Sequence, residues 1–365
     1  MKSLKGYLRQ NYSPIGIEID CEYIRMLQVK REDGLWRVHR AAQESLQPQE
    51  GEEDDTARRL AAVIKRMIRT YSFHGHQVVS ALPNRKVDVL PVQLSVADDN
   101  GLEEKILENA RARLSYGVEQ AVIDYLPLGT HLKSGAEKRA FWVIASQRSH
   151  IDEHLAIIKG AGLRSRAIDI KPCALIRSLV ASGYEVEEQL LLIHLGEKDT
   201  LFLLMDKTGP LAMRVSVRGY LYMAEKLQKA LEIDSISACS LLSGYGFLDY
   251  AADGRRGDNA PSDNTESVIH EIISPIFEEI LGGLENFLNY CHAEIREMSI
   301  EKICISGKAY MIRNFDREIE KTLGMTAELF NPFTLPGKDR AVHPGIDVSH
   351  GSVYSVPFGL TMRES

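Results

Sequence analysis

The stretch IGIEID at residues 15–20 begins the pattern that decides the fold. Its apolar part, Ile15–Ile19, predicts a short strand that ends in a polar turn. A second strand is predicted at Tyr23–Val29, and a third at Leu35–His39 after the turn Glu32–Gly34. That turn contains an Asp-Gly pair between aliphatic and β-branched runs, which is a strong hairpin signal. The sequence therefore predicts three consecutive strands joined by tight turns.

The same pattern returns in the second half of the chain. Strands are predicted at Leu190–Leu195, Thr200–Met205 and Leu211–Val217. Each triplet is followed by helical periodicity and by one more strand. These segments are the helix Ala57–Tyr71 and the strand Gln77–Leu82 in the first half, and the helices Tyr220–Leu231 and Val268–His292 and the strand Lys302–Ile305 in the second. The repeat predicts two similar α/β lobes with a cleft between them, and Pro275 predicts a kink or a break in the longest helix.

The stretch between the two halves, Val87–Gln147, has a pattern of its own. It is predicted to form a strand, a helix and two further strands, at Val87–Leu94, Leu102–Leu114, Gln120–Pro127 and Arg139–Ser146. A helix at Ile151–Gly160 and a strand at Arg166–Ile170 lead the chain back to the cleft. This order predicts a small inserted α+β subdomain.

The domain boundaries follow from this order. We expect the first lobe at residues 14–86, the inserted subdomain at 87–165, the return of the first lobe at 166–188, the second lobe at 189–345, and a C-terminal segment at 346–365 that returns to the first lobe. Surface loops are predicted at Gln47–Asp55 and at Asp253–Glu266, the second of which contains Gly, Asn, Pro, Ser and Asp.

Composition limits the class of function. The 365 residues are 44% hydrophobic, which is enough for large cores in two lobes. A formal net charge of −7 argues against nucleic-acid binding through a general basic surface. The five cysteines are scattered and form no Cys-x-x-Cys pair, so we expect reduced cysteines in the cytoplasm. The longest apolar runs are far shorter than the roughly 20 residues that cross a bilayer, so membrane attachment would require a partner.

A series of short motifs occurs in a characteristic order. The motifs are IGIEID at 15–20, ALP at 81–83, AGL at 161–163 with AIDI at 167–170, the segment Leu191–Thr200 with Arg214 and Gly219, ISG at 305–307, and PFGL at 357–360. With them the sequence resembles the actin-like ATPases, and within these the PilM family, from about Ile15 to Met362. The resemblance implies a duplicated, ribonuclease H-like α/β fold of two lobes with a small α+β subdomain inserted into the first.

The resemblance also implies a nucleotide site that would take ATP and Mg²⁺ between two phosphate loops and an adenosine loop. The positions that it assigns to this site are Asp20, Arg25, Asp169, Gly196, Thr200, Ser306, Gly307 and Lys308. In such loops a tight turn lets backbone N–H groups reach the phosphates, and a carboxylate holds Mg²⁺ through water. No catalytic residue and no resident metal ligand are predicted.

Three departures from the family pattern predict a decayed nucleotide site. Where the first loop of the family has Asp-x-Gly, this chain has Glu18-Ile19-Asp20. The second loop has His194 in place of Asp, and the adenosine loop reads SGK at 306–308. A carboxylate about 4 Å from a phosphate costs several kcal/mol at an effective dielectric constant of about 20. We therefore expect no ATP hydrolysis.

The sequence also contains His150-x-x-Glu153-His154, the spacing of an inverted zinc-peptidase motif. Ile151, Leu155 and Ile158 define an apolar stripe on the same helix, however. The motif is thus better interpreted as a core helix with two exposed histidines beside the stripe.

The function implied by the resemblance is that of a scaffold. Such a protein holds the N-terminal cytoplasmic tail of a PilN-like single-pass inner-membrane protein and links it to other pilus assembly components, including cytoplasmic motor proteins. It would be cytoplasmic, peripheral to the inner membrane, and able to form an oligomer or ring. The tail would lie in a groove between the first lobe and the inserted subdomain, formed by Val87–Leu94 and Ala110–Tyr125. Two alternatives are an active actin-like ATPase with nucleotide-switched assembly and the cytoplasmic part of a type II secretion L-type protein.

Overall fold

A computed structural model describes residues 12–32, 35–46, 56–95, 101–128, 138–184, 186, 188–248, 264–295, 297–334 and 347–363. Three predicted features lie wholly or mostly outside these residues. They are the Asp33-Gly34 part of the first hairpin turn, the loop Gln47–Asp55, and the loop Asp253–Glu266 apart from its last three residues.

Most of the strands and helices occur in the predicted order. The strands are β1 (Ile15–Ile19), β2 (Tyr23–Glu32), β3 (Leu35–Ser45), β4 (Gln77–Leu82), β5 (Asp88–Ser95), β6 (Ala121–Pro127), β7 (Lys138–Gln147), β8 (Arg164–Ile170), β9 (Gln189–Leu195), β10 (Thr200–Asp206), β11 (Gly209–Ser216), β12 (Ile300–Gly307) and β13 (Ala327–Leu329). The α-helices are α1 (Thr56–Thr70), α2 (Leu102–Arg113), α3 (Arg148–Gly160), α4 (Lys171–Ser182), α5 (Tyr220–Leu231), α6 (Ser235–Gly244), α7 (Asn264–Glu294), α8 (Phe315–Leu323) and α9 (Ser355–Thr361).

Two five-stranded sheets have the same strand order and directions. The first has the order β3-β2-β1-β4-β8 and the second β11-β10-β9-β12-β13. In both, the first three strands form antiparallel hairpins and the last two pairings are parallel. Strands β1 and β10 lie inside their sheets and are buried along their whole length, which fits their mainly apolar sequences. The duplication predicted from the sequence is therefore confirmed.

Contacts divide the chain into two compact units. The first unit takes in residues up to Pro127, Arg139–Glu185 and Asn331 onward, and the second is built mainly of Val186–Phe330. The return to the first unit was predicted at residue 346, whereas Phe333 already packs with Leu27 and Phe358 in a first-unit cluster. Strand β8 begins at Arg164 and pairs with β4, so it belongs to the first sheet.

The C-terminal helix α9 closes the first unit by lying against β1 and α4. A Cβ atom on Gly16 would be 2.2 Å from the carbonyl oxygen of Pro357. A Cβ on Gly359 would be 1.7 Å from the carbonyl oxygen of Ala174. Both positions therefore require glycine, because the backbones approach too closely for any side chain.

The second unit is built around the long helix α7. Its stripe of buried residues packs with α5, α6 and α8 in one large core that includes Phe247, Phe277 and Phe315. Helix α7 runs without a break through Pro275. Just before the proline, the hydroxyl of Ser274 donates a hydrogen bond of 2.7 Å to the carbonyl of His270. Of the two outcomes predicted at Pro275, a kink or a break, the break does not occur in helix α7.

The inserted subdomain is a three-stranded sheet with one helix. The strand order is β5-β7-β6, so β6 lies at an edge of this sheet. Ile106 and Ala110 of α2 pack on one face, against Phe141 and Val143 of β7. Along β6 the side chains alternate between this covered face and the opposite one, as in any strand. The opposite face is available to line a groove.

Candidate functional site

The first loop is held by a buried lysine. Glu18 lies in β1, Asp20 follows β1 directly, and Lys171 is the first residue of α4. The Nζ of Lys171 is 2.9 Å from Oε1 of Glu18 and 2.7 Å from Oδ2 of Asp20. All three side chains are at most 8% exposed. Lys171 thus bridges the two carboxylates within the first unit.

Arg25 completes this group of charges. It is the register partner of Glu18 across the β1–β2 hairpin, and its Nη1 is 3.7 Å from Oε2 of that residue. Its Nε donates a hydrogen bond of 2.7 Å to Gln43 on β3. Burial alone would raise the pKa of Asp20, but attraction and a hydrogen bond from Lys171, together with Arg25, hold it well below its usual value. Two anions therefore face two cations, and both carboxylates have cationic partners.

These residues do not fit the arrangement of Mg²⁺ and phosphate that the resemblance implies. The carboxylate of Asp20 stands where that arrangement has glycine, and the ammonium of Lys171 bridges the carboxylates that would face a metal ion. A second cation placed there would be repelled by Lys171 and Arg25. The first loop is closed by the side chains of the protein itself.

In the second unit, the two loops of the predicted site are joined by a hydrogen bond. The Nδ1 of His194 on β9 is 2.9 Å from the hydroxyl of Ser306 on β12. Gly307 follows with a φ of 79°, and a Cβ there would be 2.3 Å from the carbonyl oxygen of Leu195. The loop positions predicted from the sequence thus meet at the ends of neighbouring parallel strands, as expected for β9 and β12.

The hairpin turn between β9 and β10 is similarly tight. The N–H of Gly196 donates to the carbonyl of Asp199 over 2.8 Å, and the hydroxyl of Thr200 donates to the carbonyl of Arg218 over 2.7 Å. A Cβ on Gly196 would be 2.8 Å from the carbonyl oxygen of Asp199. Glycine is therefore required here by the turn itself.

Lys308 is buried in the second unit. Its side chain is 5% exposed, and its Nζ lies 3.9 Å from Oε1 of the buried Glu197 and 4.9 Å from the centre of the Tyr220 ring. Lys308 thus contacts the loop carboxylate and an aromatic face, both of which attract a cation.

Asp169 lies apart from the other predicted residues of the first unit. Its carboxylate binds the guanidinium of Arg177 on α4 and lies 3.0 Å from Nη1 of Arg363, which follows α9. It also accepts a hydrogen bond of 2.8 Å from the N–H of Ile170. These contacts place it in the wall of a groove, away from the contacts of Lys171 with Asp20.

That groove lies between the first lobe and the inserted subdomain, inside the first unit. It has a volume of about 630 Å³. One side is formed by the open face of the β6–β7 sheet and the other by β8, α3 and α4. Its lining residues that matter most here are Val122, Tyr125, Leu126, Ile144, Leu155, Ile168, Asp169, Cys173, Arg177 and Arg363. We call this site the subdomain groove.

The subdomain groove is mainly apolar with one charged end. Val122 and Leu155 are 37% and 38% exposed, which leaves these large apolar side chains accessible in the groove. Burial raises the pKa of the Cys173 thiol to about 12, so this side chain is neutral. Two guanidinium groups share the single carboxylate of Asp169 at the charged end.

The histidine motif on α3 does not assemble into a metal site. The Nε2 of His154 is 2.8 Å from the hydroxyl of Ser80, and Glu153 forms a salt bridge of 2.6 Å with Lys86. The prediction that both histidines are exposed is wrong for His154, which is only 4% exposed. The helix turns this residue toward β4, because Ile157 and Ile158 anchor the same side in the core.

The comparison with protein families decides where the chain belongs. The family model described as "Type IV pilus assembly protein PilM" matches residues 16–365. The chain belongs to the PilM family. Because this match covers nearly the whole sequence, PilM family membership extends to both units and to the inserted subdomain.

Solved structures agree with the fold of this PilM family member. A structure titled "PilM-PilN type IV pilus biogenesis complex" matches with a TM-score of 0.77 and 22% identity, over 96% of this chain and 98% of the other. The ethanolamine utilization protein EutJ from Carboxydothermus hydrogenoformans matches with a TM-score of 0.55 and 11% identity, over 96% and 89%. Together with the sheet order, these likenesses confirm the duplicated actin-like α/β fold.

None of the described helices of this PilM family member combines the length and the apolar character needed to cross a bilayer.

Two features of the site were missed by the sequence interpretation. Lys171 was not singled out, because helix α4 was not predicted and the contact of this lysine with Asp20 spans 151 positions. The groove residues on α3, β8 and α4 were also missed, because they are far in sequence from the predicted segments Val87–Leu94 and Ala110–Tyr125. Val122 and Tyr125, which line the groove, do lie in the second of these segments.

Proposed function

We propose that this chain is an actin-like scaffold of a type IV pilus machine. It binds the N-terminal cytoplasmic tail of a PilN-like inner-membrane protein and so lies at the cytoplasmic face of that membrane. The observation that carries the proposal is the subdomain groove, which has the size of a ligand site and an accessible apolar lining. The related structure titled as a PilM-PilN complex supports the choice of partner.

The groove suits an extended peptide. The open sheet face presents Val122, Asp124 and Leu126 at alternate positions of β6, which are the positions that share one face of a strand. An extended peptide crossing this face would place alternate apolar side chains against them and against Leu155 on α3. Such recognition combines apolar pockets with backbone hydrogen bonds at a sheet edge.

The charged end of the groove gives the peptide a direction. Arg177 and Arg363 carry two positive charges, and Asp169 neutralises one of them. The carboxylate of Asp124 is a further charged group in the lining. Polar and charged groups of the tail would be oriented by this end, since charges at an interface fix its register. The tail would thereby dock in one orientation and connect the envelope complex to other pilus assembly components, including the motor.

Charged substitutions in the groove are expected to abolish this binding. We predict that Val122→Asp and Leu155→Asp each weaken binding of a synthetic PilN-like tail peptide by about 30-fold or more, the size of a hot-spot loss. Both side chains are over a third exposed, so the folded state loses little packing. Fluorescence anisotropy of the labelled peptide measures the dissociation constants.

The matched control is Val180→Asp. Val180 is a 65% exposed residue of α4 in the same unit and does not line the groove. Its variant should bind the peptide like the native protein. Unchanged binding by both groove variants, or no binding by the native protein, would refute the proposed site.

We infer that the scaffold works without ATP hydrolysis. In the first unit, the loop carboxylates are bound by Lys171 and Arg25. In the second, His194 replaces a carboxylate and bonds to Ser306. An active, nucleotide-switched ATPase would need these groups for the metal and the phosphates.

Titration calorimetry with Mg·ATP tests this inference. We expect no heat of binding from the native chain. The variant with Asp20→Gly and His194→Asp, which restores the family pattern at two positions, is titrated beside it. Heat from the variant alone would identify the two substitutions as the cause. A micromolar dissociation constant for the native chain would instead favour the nucleotide-switched alternative.

A further inference from the structure

We propose that Lys171 is a built-in cation that stands in place of a bound metal ion and holds the first loop in its folded conformation. The loop is then ordered in the absence of any divalent cation or nucleotide. This inference concerns the first unit alone and is independent of what binds in the subdomain groove.

The geometry of the ammonium supports this role. A single Nζ atom lies 2.9 Å and 2.7 Å from oxygens of two different carboxylates, on Glu18 and Asp20. These are the lengths of strong, charge-assisted hydrogen bonds. Asp20 also accepts from the N–H of Cys21 over 3.0 Å, and its own N–H donates to the carbonyl of Tyr23 over 3.0 Å. The lysine therefore fixes the turn through the same carboxylate that caps it.

The position of Lys171 is unfavourable for a cation without anionic partners. It is the first residue of α4, where the helix dipole is positive and opposes a cation. Its side chain is 2% exposed, so it gains nothing from water. The carboxylates of Glu18 and Asp20 offset the unfavourable helix dipole and the loss of hydration, because a buried charge needs close, hydrogen-bonded partners.

The charges of this cluster oppose the binding of a metal ion beside the lysine. Glu18 and Asp20 carry two negative charges, and Lys171 and Arg25 carry two positive ones. The cluster is neutral. A divalent cation needs oxygen ligands at about 2.0–2.6 Å, and the two carboxylates that could supply them already bind the ammonium. The lysine thus occupies an oxygen of each carboxylate and adds a positive charge that repels a divalent cation.

The second unit has a parallel feature that arises independently. Lys308 is also buried, and its ammonium lies near Glu197, a carboxylate of the second loop. One buried lysine thus accompanies one loop in each unit.

Thermal unfolding with and without metal tests the proposal. The native protein should show the same midpoint in millimolar Mg²⁺ as in NaCl of equal ionic strength. We expect Lys171→Ala to unfold about 5 to 10 °C lower in metal-free buffer, because two buried carboxylates lose their partner. Millimolar Mg²⁺ or Ca²⁺ should then raise the midpoint of this variant by about 3 °C or more, since the carboxylates can bind a cation.

Two further variants separate this role from a general loss of charge. Lys86→Ala removes a partly exposed lysine from an ion pair with Glu153 and should shift the midpoint by no more than about 2 °C, with no metal response. Lys171→Met combined with Glu18→Gln and Asp20→Asn removes the buried charges that would bind a cation. This triple variant should show no metal response either.

The outcomes that would overturn the proposal are specific. Stabilisation of the native protein by Mg²⁺ would show that the lysine does not exclude metal. A native-like midpoint for Lys171→Ala would show that it does not hold the loop. A destabilised variant without metal response would make Lys171 a structural cation only. If Lys171→Ala folds only with Mg²⁺ or Ca²⁺, the proposal is supported; if neither ion restores folding, it is contradicted.

Discussion

Gly359→Ala is expected to lower the free energy of unfolding by about 3 kcal/mol or more. A Cβ at this position would lie 1.7 Å from the carbonyl oxygen and 2.5 Å from the carbonyl carbon of Ala174. The obstacle is the backbone of the buried helix α4, which cannot rotate away as a side chain could. Overpacking in a core costs about 1–3 kcal/mol even where side chains can adjust. The loss should be measured by urea denaturation followed by circular dichroism.

The control for this substitution is Gly282→Ala in helix α7. No atom lies within 4 Å of a Cβ added to Gly282. Alanine is favoured over glycine in a helix by about 0.8–1.0 kcal/mol, so this variant should be slightly more stable. Helix propensity favours alanine at both positions. A loss of stability in Gly359→Ala but not in Gly282→Ala is therefore due to packing. Equal stability of Gly359→Ala and the native chain would mean that α9 does not pack against α4 as described.

The same substitution connects stability with the proposed function. Helix α9 leads directly to Arg363, whose guanidinium lies 3.0 Å from Asp169 in the subdomain groove. Arg177 on α4 also donates to the carbonyl of Gly359 over 3.2 Å. The closing helix therefore positions one end of the groove, and displacing it should weaken peptide binding as well as folding.

Much of the fold could be predicted from local sequence. Strands such as β1 and β10 are mainly apolar runs bounded by turn residues, and such runs indicate burial. Helix α4 was missed, because seven of its residues are buried on several sides and leave no clear polar face. Helix α8 and the three-residue strand β13 were missed as well. Short elements of this kind are stabilised by tertiary contacts more than by their own periodicity.

The contacts of the site could be predicted only between residues close in sequence or at the ends of neighbouring parallel strands. His194, Ser306 and Gly307 meet because β9 and β12 are parallel neighbours. Lys171 meets Asp20 across 151 positions, and no local pattern reports such a contact. Asp169 was assigned to the nucleotide loops by resemblance, yet its carboxylate contacts Arg177 and Arg363. These pairings depend on how α4 and α9 pack.

His154 shows how burial changes the behaviour of a residue that the sequence placed on the surface. It lies on α3 and contacts the hydroxyl of Ser80 on β4. Burial lowers the pKa of His154 from its ordinary value near 6.5 to about 4, with a smaller contribution from the nearby charge of Lys86. The carboxylate of Glu153, which is paired with Lys86, raises the pKa of His154, but this effect is smaller than that of burial. The folded protein therefore holds this imidazole in its neutral form.

This shift predicts a loss of stability in mild acid. The unfolded chain binds a proton at His154 below about pH 6.5, whereas the folded chain does so only near pH 4. Stability from this residue is thus fully present above pH 6.5 and falls as the pH drops from 6.5 toward 4. Between pH 8 and pH 5 the loss from His154 should be about 2 kcal/mol. Urea denaturation at a series of pH values measures it.

The variant His154→Gln isolates the contribution of His154 to the pH dependence of stability. Glutamine can still bond to Ser80 but does not titrate, so the unfolding free energy of the variant should fall by about 2 kcal/mol less than that of the native chain between pH 8 and pH 5. His76→Gln replaces an exposed histidine of the same unit and should leave the native pH dependence unchanged. Identical slopes for His154→Gln and the native chain would show that His154 is protonated in the folded state at pH 5. His154 would then have to be more open to solvent than its contact with Ser80 implies, because burying a charged imidazole is costly.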